Sequence, residues 1–232
     1  MRELGEFDEE YVLKRAEELY ERAEAEILID VKKTALIVVD MLDEFVKPNW
    51  TPCWIPEATR QVPKVKELIN TCRDLGVPII YLAYAFHPKN LDSPKPSRLM
   101  PGAKTLAAFR GELFLKESIY EEIKPKPDDM VIIKPSYSGF HGTKLDLVLK
   151  NLEVDTVVIC GTMTNYCCGA TAREAFWHGY KVVFGSDINS TDNKELHDAE
   201  LKTLRRGYAL VINCGDIIQA LKGRGDYSIK NP

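Results

Sequence analysis

Val157-Val-Ile-Cys-Gly-Thr-Met-Thr-Asn-Tyr-Cys-Cys-Gly-Ala-Thr-Ala-Arg-Glu-Ala175 is the stretch on which the reading of this chain turns. It begins with an apolar run rich in β-branched residues, the composition of a strand buried on both faces. The run stops at Gly161, passes a polar turn (Thr162, Met163, Thr164, Asn165) and opens a helix-compatible segment with adjacent cysteines. Parallel α/β proteins bind ligands at such places, outside the carboxyl ends of their strands. A thiol in the first turn of a helix lies at the positive end of the macrodipole, which favours thiolate. The competing reading makes Cys167 and Cys168 small hydrophobes between helix and sheet, since free cysteine is among the most buried residue types. The rest of the chain has to decide between them.

Outward from this stretch the pattern repeats. Apolar strands are expected at 34–40, 77–83, 130–134, 156–160, 179–184 and 208–212, with helices at 59–75, 144–152, 166–178, 194–206 and 215–222. Gly76 closes the first of these helices and Thr143 caps the second. Strands alternating with helices predict an α/β fold, a three-layer αβα sandwich around a parallel sheet covered on both faces. Residues 8–27 read as a separate amphipathic helix, capped by Asp8, whose stripe (Tyr11, Val12, Ala16, Leu19, Ala23, Ile27) must be buried somewhere. The organisation expected is an N-terminal helical extension over 1–32 and a single catalytic-type domain over 33–232. The Pro- and Lys-bearing stretch from His87 to Gly102 exceeds ordinary loop length and reads as a covering segment.

Composition narrows the function. The 232 residues carry a formal net charge of −4, with 45% hydrophobic and 28% charged residues. That balance gives no reason to expect a nucleic-acid or membrane partner, and no apolar run approaches the roughly 18 residues of a spanning helix. The N-terminus lacks a secretory signal's basic start and apolar core, so a cytoplasmic location is expected. The 6 cysteines are too scattered for a disulfide framework or a structural zinc site.

Asp40, Lys134 and Cys167 stand at or just past the carboxyl ends of their strands. One such residue is unremarkable as a cap or surface charge. All of them at one end of one sheet offer a base, a cation and a nucleophile to a shared crevice. A Cys–His dyad is the competing scheme; of His87, His141, His178 and His197, only His141 follows Lys134 closely, and His178 suits a helix C-terminus.

The blocks Val38–Phe45 (V-V-D-M-L-D-E-F), Ile132–Asp146 (I-I-K-P-S-Y-S-G-F-H-G-T-K-L-D) and Cys160–Ala175 together resemble the isochorismatase-like cysteine hydrolase superfamily. That group includes nicotinamidases, N-carbamoylsarcosine amidases and ureidoacrylate amidohydrolases. The resemblance spans roughly residues 33–222. It implies a six-stranded sheet of order 3-2-1-4-5-6, a catalytic triad of Asp40, Lys134 and Cys167, and a cis peptide at Thr162–Met163. It makes Cys167 the nucleophile and leaves Cys168 as buried filler. On this reading the Cys167 thiolate attacks an amide or ureido carbonyl after Asp40 takes its proton, and the backbone N–H groups of Met163 and Cys167 receive the oxyanion. Lys134 starts two strands from Asp40, about 9–10 Å away by sheet spacing.

Substrate contacts are expected from the loops after the first and third strands, at Phe45, Trp50, Tyr137 and Phe140, with Thr164 and Asn165 able to bond a carbamoyl group. Nicotinamidases carry D-x-H after the second strand, where this chain has Ala85-Phe86-His87. That departure argues against a metal, so no metal or cofactor is expected. The function expected is a cysteine-dependent amidohydrolase for a small linear amide or N-carbamoyl compound, working through a thioester and releasing ammonia. A vinyl-ether hydrolase and a thiol redox or binding module are the alternatives. A homodimer or higher homo-oligomer is expected.

Overall fold

Thr34–Val39 forms the first strand, β1, because its residues are apolar or β-branched and all of them are buried. In the computed structural model, which describes residues 7–85, 87, 89, 91–102 and 118–229, β1 lies inside a six-stranded sheet. The other strands are β2 (Ile79–Tyr84), β3 (Met130–Lys134), β4 (Thr156–Thr162), β5 (Lys181–Ser190) and β6 (Leu210–Ile212), in the order β3-β2-β1-β4-β5-β6. Every pairing is parallel. The order reverses between β1 and β4, which makes their carboxyl ends the switch point where such sheets open a crevice.

Among the described residues the α-helices are α1 (Glu9–Glu21), α2 (Asp43–Val46), α3 (Pro56–Arg60), α4 (Val62–Asp74), α5 (Leu145–Asn151), α6 (Gly169–Trp177), α7 (Lys194–Gly207) and α8 (Cys214–Leu221). Side chains alternate across the sheet with the period of two that a pleated strand imposes. Leu36, Val38, Val158 and Cys160 face a layer with Leu68 of α4 and Ile217 of α8. Ala35, Ile37, Val39, Val157 and Ile159 face the other, with Leu149 of α5, Ala172 of α6 and Leu204 of α7. Two cores on one sheet give the three-layer sandwich expected from the alternation of elements.

Several boundaries differ from the pattern reading, each for a physical reason. The helix expected over 59–75 is two helices separated at Gln61. Pro63 has no N–H for the Thr59 carbonyl, so the ladder is interrupted there. β5 continues to Ser190 rather than 184: a register shift between Ile159 and Gly161 lets β4 resume pairing with Asn189 and Ser190. The Asn189 amide fills the irregularity, donating to the carbonyls of Ile159 (2.9 Å) and Gly185 (2.7 Å). The polar residues Ser186, Asp187 and Asn189 hid this extension from a hydrophobicity reading.

The stripe of α1 is not buried. No residue of α1 is buried, and Tyr11 and Val12 are 44% and 46% exposed. Asp8 caps it as expected, accepting from the Tyr11 N–H at 2.8 Å. Polar contacts dock it instead on α7: Arg205 donates to the Tyr20 carbonyl at 3.2 Å, the Arg206 guanidinium lies 4.5 Å over the Tyr20 ring, and Lys202 pairs with Glu21. The covering stretch 87–102 is described only in part, with a 3-10 turn at Lys95–Leu99. Among the described residues no helix is long and apolar enough to cross a membrane.

Gly161 is where the sheet is tightest. Its φ is +134°, and a Cβ there meets the Val39 carbonyl oxygen at 2.0 Å. Gly161→Ala is expected to destabilise the protein by on the order of 3 kcal/mol, lowering Tm by about 6–12 °C in a chain of this size. An unchanged calorimetric Tm would mean that β1 and β4 can part at this point without cost.

Candidate active site

Asp40 is the first residue beyond β1, and the sheet continues past it: its N–H donates to the Leu82 carbonyl at 2.9 Å, and the Ala85 N–H to that of Lys134 at 3.1 Å. Its φ of 47° is left-handed, a conformation that costs a non-glycine residue roughly 1–3 kcal/mol and concentrates at functional sites. The register of β2 on β3 sets Tyr84 opposite Lys134. From there the lysine side chain crosses β2, and its Nζ reaches 2.7 Å from Asp40 Oδ2. The same Nζ donates to the Ser136 carbonyl at 3.0 Å and lies 5.0 Å over the Tyr84 ring. Both charged side chains are essentially sealed, at 0% and 1% exposure.

Cys167 sits above this pair, in a π-helical turn over Thr164–Cys168 that precedes α6. Its thiol lies against both Asp40 and Lys134, whose charges act on it in opposite directions, and it is partly exposed where they are not. The helix expected to start at 166 therefore starts at Gly169, and the nucleophile candidate belongs to the turn. Cys168 points the other way, fully buried in the core under α6. The Thr162–Met163 peptide is cis, as the resemblance implied. The Met163 carbonyl takes the N–H groups of Tyr166 and Cys168, each at 3.1 Å.

Burial dominates the electrostatics. It raises the Asp40 carboxyl above its ordinary value of 3.8, against the opposing pull of Lys134 and the hydrogen bonds from Cys167, Lys134 and the Tyr84 N–H. Burial also works against the Lys134 charge, but Asp40 and Cys167 outweigh it and hold the ammonium above its ordinary range. The Cys167 thiol is pushed up to about 12, first by burial and then by Asp40, with Lys134 opposing. The site thus holds a thiol beside a buried ion pair, with the Asp40 carboxylate more basic than usual.

The other expected contacts divide. Tyr137 is 40% exposed and stands 5.5 Å from the Tyr166 ring, and partial burial raises its hydroxyl above the ordinary value. Phe45 and Phe140 are packing residues instead, 9% and 6% exposed. Phe45 belongs to the core with α4, while Phe140 stacks on His178 at 4.9 Å and meets Tyr180 at 5.9 Å. Apolar faces this large are stabilised more by core contacts than by a solvent-filled cleft. The Trp50 ring is covered by Lys47 at 5.2 Å. Thr164 is fully buried with its hydroxyl 2.9 Å from His197 Nδ1, and the Asn165 side-chain oxygen Oδ1 accepts from the Thr191 hydroxyl at 2.7 Å. These polar groups brace the turn rather than stand open to a ligand. His178 lies at the end of α6, 3.6 Å from Asp146. Ala85 is buried, and among the described residues no three His, Cys, Asp or Glu side chains converge on a metal site.

Pattern reading missed Tyr84, because the strand was ended one residue short, and Tyr166, the aromatic neighbour of Tyr137. It also missed Gln61, whose Nε2 donates to the Gly161 carbonyl at 2.9 Å and approaches Met41 Sδ at 3.2 Å. An isolated glutamine in a helical stretch carries no signal of that kind.

The Isochorismatase domain matches residues 34–215. Nicotinamidase 3 of Arabidopsis thaliana is 32% identical over 199 residues, covering 83% of this chain and 90% of that protein. The crystal structure of a cysteine hydrolase from Pseudomonas syringae pv. phaseolicola superposes with a TM-score of 0.77 at 28% identity, covering 87% of this chain and 98% of the other. N-carbamoylsarcosine amidase from Thermoplasma acidophilum gives 0.64 at 29% identity, covering 78% and 96%. With its sheet order, strand-end residues and a matching domain over most of its length, the chain belongs to the isochorismatase family.

Proposed function

We propose that the protein is a cysteine-dependent amidohydrolase acting on a small linear amide or N-carbamoyl compound. The observation that carries this reading is the convergence of Asp40, Lys134 and the partly exposed Cys167 thiol at the switch point of the sheet. The activities named for similar proteins, a nicotinamidase, a ureidoacrylate amidohydrolase and an N-carbamoylsarcosine amidase, support the same bond type.

Asp40 accepts the Cys167 proton as the sulfur bonds to the substrate carbonyl carbon. The carbonyl oxygen becomes an oxyanion, for which the backbone N–H groups of Met163 and Cys167 are the proposed donors; one such donor is worth about 2.7–4 kcal/mol. Collapse of the tetrahedral species breaks the C–N bond, and Asp40 returns its proton to the departing nitrogen, releasing ammonia. A water, deprotonated by Asp40, then hydrolyses the thioester and restores the thiol. Lys134 stays charged throughout, so that Asp40 can alternate between carboxylate and acid beside a fixed cation. The Tyr137–Tyr166 pair at the exposed side of Cys167 offers aromatic surface to a planar substrate.

Ammonia release across nicotinamide, N-carbamoyl amino acids, ureidoacrylate, biuret and maleamate tests the reading. Cys167→Ser is expected to lower the best activity at least about a thousandfold. Retained activity, or release of pyruvate from a vinyl ether by the variant, would overturn the nucleophile.

The pH profile carries a separate test. Asp40 must be ionised to act as base, and its pKa is raised, so kcat/KM is expected to fall as pH drops through a point above 3.8. Lys134→Met removes the main cause opposing that rise, and the acid limb then moves to still higher pH. A limb at or below 3.8, or one indifferent to Lys134→Met, contradicts the assignment of the base.

A further inference from the structure

Thr171, in the first turn of α6 and fully buried, takes no part in the chemistry proposed above, yet its hydroxyl joins two segments of the site. It accepts from the Gly139 N–H at 2.9 Å and lies 2.6 Å from the Cys167 carbonyl oxygen. An N–H can only donate and a carbonyl can only accept, so the single hydroxyl proton goes to Cys167 and a lone pair to Gly139. A bond from a helical threonine to the carbonyl four residues back is ordinary. The bond to Gly139, 32 residues away along the chain, is not.

That second bond closes a ring around the site. The loop after β3 is tied at Ser136, whose carbonyl accepts from Lys134 Nζ at 3.0 Å, and again at Gly139, which Thr171 holds. Tyr137 lies between these ties, and its ring stands 5.5 Å from that of Tyr166, the residue before Cys167. The loop backbone lies directly on β2 and α6: a Cβ at Gly139 would collide with Leu82 Cδ1 and touch the Thr171 methyl at 3.4 Å. Thr171 is 0% exposed, so solvent does not compete for its hydroxyl.

We propose that Thr171 is a positioning residue that fixes where Tyr137 stands relative to the Cys167 thiol, through the one hydroxyl that holds both Gly139 and the Cys167 carbonyl. It thereby sets the space open to a planar group beside the sulfur. The inference rests on the amidase reading only for the nature of the natural substrate; the placement of Tyr137 against Cys167 needs no turnover.

The test is alkylation of Cys167 by iodoacetanilide and by iodoacetamide, which differ by one phenyl ring, each rate being followed on the Cys167 peptide. Neither reagent needs amide turnover, so failure of the amidase reading leaves the measurement intact. The ratio of the two rates reports the aromatic surface beside the thiol, and Tyr137→Leu is expected to lower it at least about threefold. Thr171→Val, close in shape but without donor or acceptor, is expected to lower the ratio similarly. In that background a further Tyr137→Leu is expected to change the ratio by less than about 1.5-fold, because the ring has already lost its place. Thr171→Ser keeps the hydroxyl and is expected to stay within about twofold of the parent, with the full Tyr137→Leu effect retained. Thr171→Ala carries the same cycle if Thr171→Val does not fold. A parent-like ratio in Thr171→Val, a Tyr137→Leu effect undiminished by it, or a Thr171→Ser protein that behaves like Thr171→Val would overturn the role. So would a ratio indifferent to Tyr137→Leu in the parent.

Discussion

The buried ion pair between Lys134 and Asp40 is the interaction on which the rest of this structure depends. Each ion loses its hydration on folding, an effective penalty of several kcal/mol per charge even after relaxation. The strand ends supply what offsets it: a contact of 2.7 Å, the Ser136 carbonyl and the face of the Tyr84 ring. Those partners come from β1, β2 and β3 together. The pair therefore demands a particular register across the strands, and the left-handed backbone at Asp40 is tolerated because the sheet hydrogen bonds of Leu82 and Lys134 continue past it.

Above the pair, the Cys167 turn meets opposing demands. It must bring a thiol to two buried charges while its neighbour Cys168 fills the core beneath α6. A regular helix starting at Asn165 would not leave the Met163 carbonyl to collect the N–H groups of both Tyr166 and Cys168; the π-helical turn does. The close approach of Gly161 to Val39 anchors one end of this turn on β1, directly before Asp40. Asp40, Lys134 and Cys167 are thereby tied to the same end of one rigid sheet, which is what a preorganised site requires. Hydrogen bonds from Gln61, Thr191 and His197 brace that end of the sheet from the side of α4, β5 and α7.

Much of this was legible in the residues. Apolar runs with β-branched character locate every strand, and the alternation of elements predicts the layers, because both signals are local. Strand-end positions single out Asp40 and Lys134, and the motif around Cys167 sorts it from Cys168. The aromatic contacts were harder. Phe45 and Phe140 occupy motif loops, yet they turn into the two cores, whereas Tyr137 stays half-exposed beside Tyr166. Nothing in the local sequence tells an inward phenyl ring from an outward one when the backbone around it is irregular. The stripe of α1 is a similar case: its periodicity predicts a helix, but not that the helix ends at Glu21 rather than 27, nor that polar contacts from α7 would be its anchor.

By itself the sequence determined the class of fold, the order of elements and the identity of the groups at the strand ends, since each rests on composition and spacing within a few residues. The reach of Lys134 across β2, the π-helical turn, the polar extension of β5 and the Gln61 brace were decided only by tertiary structure. The reason is separation along the chain: Gln61 and the carbonyl it holds are 100 residues apart, and Asn189 and its Ile159 carbonyl 30. An interaction of that kind leaves no periodic trace, because its energy depends on where two distant segments meet rather than on what either one is made of.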